Sequence, residues 1–267
     1  MCGITGIISP KGEIAIKKMT DAIRHRGPDD DGYFVDEHVS LGMRRLSIID
    51  LARGKQPIST TDGRYHIFFN GEIYNYKEIK KELVDYDFKT DSDTEVILAG
   101  YVKWGSDILA RLRGMFAFSI YDTKENKIFV ARDYFGIKPL YYWAKPSTSF
   151  KKSSDVSSRA WPDFSHEVLG FASEIKSFLT LPEFTPEVND SAVFNYLSYQ
   201  YNPLEETFFK NVFKLPPAHY MTIDAKTGMA EIKRYWQFEF KQDKSLDEEK
   251  TTREILEVME DSVSHHM

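Results

Sequence analysis

Short apolar runs separated by turn-forming residues dominate most of the chain. Runs of four to eight residues that are rich in β-branched and aromatic side chains are typical of strands. The pattern predicts strands at 4–8, 33–35, 39–42, 46–49, 65–69, 115–121, 128–131, 140–143, 171–172 and 220–223. Residues 122–126 are polar and lie between two of these runs, which predicts a hairpin.

Apolar residues at helical spacing are confined to a few segments. They predict helices around 16–23, near 92–104, over 191–199 and from 246 onward. The second of these is the best defined, because Ser92 and Glu95 have the spacing of a capping box. Many strands with few helices between them indicate an α+β fold, in which helices cover antiparallel sheets.

Residues 145–166 depart from this pattern. They contain seven serines, several lysines and two prolines, with little periodicity. This composition predicts a surface insertion without regular structure.

The composition narrows the class of protein. Hydrophobic residues make up 42% of the 267 residues, enough for a substantial core. A net charge of −6 disfavours nucleic acid or an anionic membrane as the main partner. A lone cysteine fits a reducing compartment, and the pattern contains neither a signal peptide nor an apolar run of membrane-spanning length. A cytoplasmic protein is expected, and the scattered histidines predict no metal site.

Cys2 is the only cysteine and follows directly after Met1. If Met1 is removed, Cys2 carries a free α-amine beside its thiol, so that one residue holds both a nucleophile and a base. The pKa of an α-amino group is about 8, so a fraction of these groups is neutral at pH 7. The alternative is that Cys2 is a small apolar residue at the start of a buried strand.

Three other segments carry candidate chemistry, each with a structural alternative. Arg44 and Arg45 either supply a clamp for a substrate carboxylate or form an exposed surface pair. Asn70 and Gly71 form an Asn-Gly pair, the strongest short hairpin signal, or else direct an amide and a backbone N–H at a developing oxyanion. Asp93 either stabilises a helix N-terminus or binds a substrate ammonium group.

Taken together and in order, these motifs resemble the glutaminase domain of glutamine-hydrolysing asparagine synthetases, which are class II, N-terminal-nucleophile glutamine amidotransferases. The resemblance covers nearly the whole chain. The motifs that carry it lie at 2–4, 25–29, 45–48, 69–75, 92–95, 132–142, 172–176 and 214–217.

The resemblance implies a fold and a set of roles. The implied fold is a four-layer αββα sandwich of two antiparallel sheets. Cys2 is implied to attack the side-chain amide of L-glutamine, with its own amine passing the proton to the leaving ammonia, while Asn70 and Gly71 form the oxyanion hole. The residues implied to hold the substrate are Arg45, Ile48, Ile49, Glu72 and Asp93.

The resemblance also implies how the chain is organised. It places a glutaminase domain at 2–217 and the start of a truncated synthetase domain at 218–267. The pyrophosphate loop that binds ATP in this family does not occur in the sequence. ATP and Mg²⁺ are therefore expected only for a synthetase domain outside this chain, and no cofactor is expected within it. The implied partners are L-glutamine and that synthetase domain in cis, and a homodimer stays open.

The sequence leaves two questions open. The ammonia acceptor is either an aspartyl-adenylate or another group, such as a sugar phosphate or the precursor of a specialised amidated product. If Met1 is retained, Cys2 lacks its free amine, and the domain would be a non-catalytic binding module.

Overall fold

The computed structural model describes residues 1–8, 12–47, 49–50, 54–144, 165–240 and 247–266. Strands occupy much of these ranges. They are β1 Gly3–Ile8, β2 Asp30–Val35, β3 Val39–Arg45, β4 Ile58–Ser59, β5 Tyr65–Ile73, β6 Gly114–Asp122, β7 Lys127–Arg132, β8 Tyr141–Ala144, β9 Ser165–Ala172, β10 Val212–Lys214, β11 His219–Asp224 and β12 Met229–Arg234. The helices are α1 Gly12–Asp21, α2 Tyr76–Glu82, α3 Asp93–Trp104, α4 Asp190–Tyr199 and α5 Glu248–His266.

Every pair of neighbouring strands is antiparallel within the described ranges. The strands follow the order β2-β3-β1-β9-β12-β11-β7-β6-β5-β4, and β8 and β10 join beside β9. The path curls so that its two halves stack face to face. We refer to the half that contains β1 as the first sheet and to the half that contains β5 as the second sheet.

Three apolar clusters define the layers. The central cluster packs residues of the first sheet, such as Leu41, against residues of the second sheet, such as Phe68. A second cluster lies between the second sheet and helices α2 and α3. A third lies between the first sheet and helix α1, which contributes Ile16 and Met19. The predicted αββα sandwich of two antiparallel sheets is therefore confirmed.

Most predicted elements are confirmed, including the hairpin of β6 and β7, but two local predictions are wrong. The run at 46–49 does not form a strand, because β3 ends at Arg45 and residues 46 and 47 are irregular. The Asn-Gly hairpin does not form either. Strand β5 continues to Ile73, and Asn70 and Gly71 pair with Ala117 and Phe116 of β6.

The helix predicted near Ser92 begins as expected, with half of the capping box. The Ser92 hydroxyl accepts a hydrogen bond from the Thr94 N–H at 3.1 Å. The Glu95 carboxylate reaches past Ser92 and accepts from the backbone N–H groups of Lys89 and Thr90. Both contacts hold the loop before α3 against the helix start, where Asp93 lies.

The later part of the chain bears on the predicted organisation. Strands β11 and β12 follow the predicted domain boundary at residue 217 and pair with β7 and β9. The predicted insertion at 145–166 lies almost entirely outside the described residues. Helix α5 contacts the sandwich through an ion pair of 2.7 Å between Asp261 and Arg113. Among the described helices, none combines the length and apolar character needed to cross a membrane.

Candidate active site

A cavity of about 130 Å³ lies where the starts of β1 and α3, the end of β3 and the middle of β5 meet. Pockets for drug-sized ligands have volumes of about 300–1,000 Å³. This cavity is much smaller and suits a small metabolite. The predicted site residues that line it are Cys2, Arg45, Ile49, Asn70, Gly71, Glu72 and Asp93. Ile48 lies outside the described residues.

Cys2 reaches this cavity because of strand register. Gly3 of β1 pairs with Arg44 of β3, so Cys2 lies beside the residues that follow β3. Its sulfur accepts a hydrogen bond from the Leu46 N–H at 3.3 Å and lies 3.6 Å from the Leu46 carbonyl oxygen. Burial raises the pKa of the thiol, and the Leu46 N–H opposes this shift only in part. The sulfur is therefore mainly a thiol near pH 7 and needs a base to become a nucleophile.

Arg45 is buried, with 4% of its surface exposed, which excludes the surface-charge alternative. One guanidinium nitrogen donates to the carbonyl oxygens of Ile49 and Asp50, at 3.0 and 2.9 Å. These bonds hold the backbone carbonyls of Ile49 and Asp50 against the Arg45 side chain, and Leu46 and Ile49 line the cavity. The guanidinium supplies a positive charge to the cavity wall.

Asn70 is fully buried, yet both its side-chain oxygen and its side-chain nitrogen lack a hydrogen-bond partner among the described residues. A buried amide without partners costs about 1–3 kcal/mol of stability. Asn70 also lines the cavity that contains the Cys2 sulfur. Its amide donor is therefore available to a ligand in the cavity that contains the Cys2 thiol.

Gly71 lies in β5 where a side chain has no room. A Cβ atom added there would lie 2.3 Å from the Met115 carbonyl oxygen and 2.8 Å from the Phe116 Cα, both backbone atoms of β6. The absence of a side chain lets β5 and β6 approach closely.

We expect Gly71→Ala to lower the free energy of unfolding by about 2 kcal/mol or more, because backbone atoms of β6 would have to move. Urea denaturation measures this change. Asp85→Asn on the exposed surface is the matched control and should leave stability unchanged. Equal stability of the Gly71 variant and the parent chain would contradict the predicted overlap.

Asp93 is the most perturbed acid of the cavity. It is 4% exposed and accepts a hydrogen bond from the Ile73 N–H at 3.1 Å. Burial raises its pKa from 3.8 to about 6, although backbone N–H groups of Ile73 and Thr94 oppose the shift. Glu72 lines the same wall and adds a second carboxylate. Arg45 and these two acids give the small cavity charges of both signs, which suits a ligand that is itself a zwitterion.

The raised pKa of Asp93 predicts a pH-dependent cost to folding. The folded state favours the protonated Asp93 carboxyl. The stability contributed by this protonated form is fully present below pH 3.8 and is lost as the pH rises through about 6. We expect Asp93→Asn to raise the free energy of unfolding by about 1–3 kcal/mol at pH 8, and by less at pH 5. Urea denaturation at both values tests this, with Asp85→Asn as control, and a stabilisation equal at both pH values would contradict it.

Two basic residues near the start of the chain were not chosen as site residues from the sequence. The Arg26 side chain donates to the Cys2 carbonyl oxygen at 2.9 Å and to the Glu174 carboxylate at 3.0 Å. Its neighbour His25 also contacts Glu174, at 2.9 Å. Lys138, from the motif at 132–142, is buried and lines the cavity. Neither position carries a local sequence signal, because the contacts depend on which parts of the chain become neighbours in the fold.

Comparison with known proteins agrees with this geometry. A model of the glutamine amidotransferase domain matches residues 1–236. The chain belongs to the glutamine amidotransferase family. Cys2, Arg45, Asn70 and Asp93 all lie inside the matched region.

Curated relatives of this amidotransferase are longer than the chain itself. Asparagine synthetase [glutamine-hydrolyzing] 1 of Bacillus subtilis is 41% identical over 276 residues, which cover 100% of this chain and 40% of that protein. Putative asparagine synthetase [glutamine-hydrolyzing] 2 of Methanocaldococcus jannaschii is 34% identical and is covered to 52%. The chain thus spans about half or less of the length of these relatives.

Solved structures share the fold of this amidotransferase. The glutamine phosphoribosylpyrophosphate amidotransferase from Bacillus subtilis superposes with a TM-score of 0.59 over 89% of this chain and 50% of that one. The allosteric regulatory enzyme of purine biosynthesis superposes with a TM-score of 0.62, also over 89% of this chain and 50% of that one. Sequence identities of 18% and 17% limit the likeness to the fold.

Among the described residues, no group of three or more His, Cys, Asp or Glu side chains is placed to hold a metal ion. The chemistry available in the cavity is that of a thiol, an amide donor and charged side chains. This set suits acyl transfer, in which a nucleophile, a base and an oxyanion-binding group act together.

Proposed function

We propose that this chain hydrolyses L-glutamine to glutamate and ammonia, with Cys2 as the nucleophile. The observation that carries the proposal is the unpartnered amide of buried Asn70 in the same small cavity as the Cys2 sulfur. An amide held without partners beside a nucleophile costs stability, and an oxyanion formed on the substrate would satisfy it.

Activation requires that Met1 is removed, so that the α-amine of Cys2 becomes free. While Met1 is attached, the Cys2 nitrogen is part of a peptide bond and cannot act as a base. The raised pKa of the thiol makes a base necessary. Met1 is 60% exposed, which leaves it accessible to an aminopeptidase.

In the proposed reaction the α-amine takes the thiol proton while the sulfur bonds to the amide carbon of glutamine. The carbonyl oxygen becomes an oxyanion that accepts hydrogen bonds from the Asn70 side chain and the Gly71 N–H. The α-ammonium returns the proton to the leaving nitrogen as the carbon–nitrogen bond breaks, which releases ammonia and leaves a thioester. Water, deprotonated by the same amine, then cleaves the thioester and releases glutamate.

The substrate is proposed to lie between the charged walls of the cavity. Arg45 would hold the α-carboxylate of glutamine, and Asp93 with Glu72 would hold its α-ammonium group. The backbone around Ile48 and Ile49 would line the remaining side.

Because Asp93 is proposed to hold the α-ammonium group, Asp93→Asn should raise KM for glutamine about tenfold or more. A hydrogen bond to a charged group contributes about 1.5–3 kcal/mol.

We further propose that the ammonia serves asparagine synthesis in a longer protein. The names and the extra length of the relatives support a synthetase domain in cis that uses ATP and Mg²⁺. The family match through residue 236 and the pairing of β11 and β12 favour a domain boundary after residue 236 over one after 217. An acceptor other than an aspartyl-adenylate, and a homodimer, are the alternatives that assays on the longer protein would separate.

The test of the proposed function is glutamate release from glutamine by two forms of the chain, one with Met1 and one that begins at Cys2. Intact mass distinguishes the two forms. We expect turnover only from the form that begins at Cys2, and a glutamine analogue with an electrophile in place of the amide should add its mass to Cys2. A lack of both turnover and labelling in a folded chain that begins at Cys2 would overturn the proposal and favour a binding module.

A further inference from the structure

Lys138 is a buried cation that takes no part in the mechanism proposed above. It is 5% exposed and lines the cavity that contains Cys2, Asn70 and Asp93. Its ammonium nitrogen lies 3.5 Å from the Met1 sulfur. Among the described residues, no carboxylate forms an ion pair with it. A buried ammonium without an ion pair lowers the stability of the fold, so a functional explanation for its position is needed.

The loop that carries Lys138 is built to hold it in place. The buried carboxylate of Asp133 accepts hydrogen bonds from the backbone N–H groups of Phe135, Ile137 and Lys138, at 2.9–3.1 Å. The Arg132 side chain donates to the carbonyl oxygens of Gly136 and Lys138. The backbone on both sides of the loop is thereby fixed, and Lys138 points its charge at the first residue of the chain.

We propose that Lys138 is a positioning residue for glutamine hydrolysis, whose positive charge keeps the free α-amine of Cys2 in its neutral, proton-accepting form. The inference rests on the proposed function. Removal of Met1 would take away the thioether beside Lys138 and create the new α-amine next to the residue that the ammonium contacts. The Lys138 ammonium and a protonated α-amine repel each other, so the protonated form of the amine is disfavoured.

The other charges around Cys2 do not replace this effect. The Arg26 guanidinium, on the opposite side of the Cys2 carbonyl, is already paired with Glu174 at 3.0 Å. Arg45 also acts on the Cys2 thiol, but its guanidinium donates to the carbonyl oxygens of the loop after β3. Lys138 differs from both arginines because, within the described structure, its ammonium has neither a carboxylate nor a carbonyl partner.

The acids in the cavity act in the opposite direction. Asp93 lies near the thiol, and Glu72 and Asp133 lie near Lys138. The Asp133 carboxylate accepts hydrogen bonds from backbone N–H groups, and Asp93 is partly protonated near pH 6. Burial and the nearby Arg26 lower the pKa of Lys138 itself, so it too loses its charge earlier than a surface lysine as the pH rises.

The test uses chains that begin at Cys2, obtained from a fusion whose proteolytic removal leaves Cys2 first. Because Cys2 is the only cysteine, cysteine labelled with ¹³C at Cβ gives a single NMR signal that reports the ionisation of both the amine and the thiol. We expect Lys138→Met to move these transitions upward by about one pH unit, because loss of the nearby positive charge makes protonation of the amine more favourable and ionisation of the thiol less favourable.

The same variants should differ in turnover. The acidic limb of kcat/KM against pH should move upward by about one unit in Lys138→Met, which lowers activity about tenfold at pH 6.5 and little at pH 9. Lys138→Arg should restore the parent profile. Lys214→Met replaces another lysine whose pKa is lowered by burial and lies outside the cavity, and it should shift neither readout.

The two proposals fail in different ways. If the NMR titration shifts as expected but no chain releases glutamate, the proposed function fails, and only the effect of Lys138 on the ionisation of Cys2 is supported. If glutamate is released and neither the titration nor the pH profile of Lys138→Met moves, the inference is overturned and Lys138 has a structural role. Should Lys138→Met fail to fold, Lys138→Gln provides the same comparison, because it also removes the charge.

Discussion

Replacement of Cys2 by alanine should reduce glutamate release from glutamine by at least about 10⁴-fold in chains that begin at residue 2. The change removes the only thiol of the protein, and loss of the nucleophile in covalent hydrolases costs up to about 10⁶ in kcat. The remaining cavity groups would still bind glutamine, so the loss should appear in kcat and not in substrate affinity. Coupled detection of glutamate measures kcat, and calorimetry measures binding.

Two matched variants sharpen this result. Cys2→Ser keeps a hydroxyl in the same position but provides a weaker nucleophile, so it should stay close to the alanine variant in activity. The parent chain with Met1 retained should also be inactive, because it has the thiol but lacks the base. Turnover by Cys2→Ala near the parent rate would mean that another group attacks the amide, and the proposed mechanism would be wrong.

Replacement of Asn70 by alanine should lower kcat about 10²–10³-fold, the usual effect of removing one oxyanion-binding donor. KM should change little, because the donor acts mainly on charge that develops in the transition state. The free energy of unfolding should change less than in most core substitutions. The variant removes a buried amide that lacks partners among the described residues, and this relief offsets the cost of the smaller side chain.

The expected signature of Asn70→Ala is therefore a large loss of kcat with a free energy of unfolding within about 1 kcal/mol of the parent value. Asn75→Ala is the matched control. Its amide donates to the Arg111 carbonyl and accepts from the Arg113 N–H, both at 2.9 Å, and it does not line the cavity. That variant should lose stability and keep kcat. A strongly destabilised Asn70→Ala with normal kcat would show that Asn70 is only a packing residue.

Local sequence signals and tertiary position disagree most clearly at Asn70 and Gly71. Judged by its neighbours alone, the pair predicts a hairpin turn. In the fold, β6 pairs across both residues and keeps β5 extended to Ile73. Pairing with an adjacent strand supplies hydrogen bonds along the whole segment, which a two-residue turn preference cannot outweigh. The resemblance to amidotransferases, carried by the order of several motifs, is the basis on which an oxyanion role is proposed for this pair.

Arg26 and Lys138 show the limit of reading a sequence along its length. Both lie in segments that were recognised, yet neither was chosen as a site residue. Arg26 contacts Cys2 across 24 residues of chain, and Lys138 contacts Met1 across 137. No local periodicity records such distances, because they depend on which strands become neighbours when the sheets stack. The pKa of Asp93, raised to about 6, depends in the same way on burial by parts of the chain remote in sequence.

The sequence by itself determined the alternation of strands and helices, the start of α3 at its Ser92 cap, the α+β class and the pairing of a nucleophile with a latent amine at residue 2. These features follow from short-range periodicity, capping and side-chain chemistry. Only the tertiary structure decided that Cys2, Arg45, Asn70, Asp93 and Lys138 share one cavity. The physical reason is that strand register and the stacking of two sheets bring these residues together, and with them the burial and charge that set their reactivity.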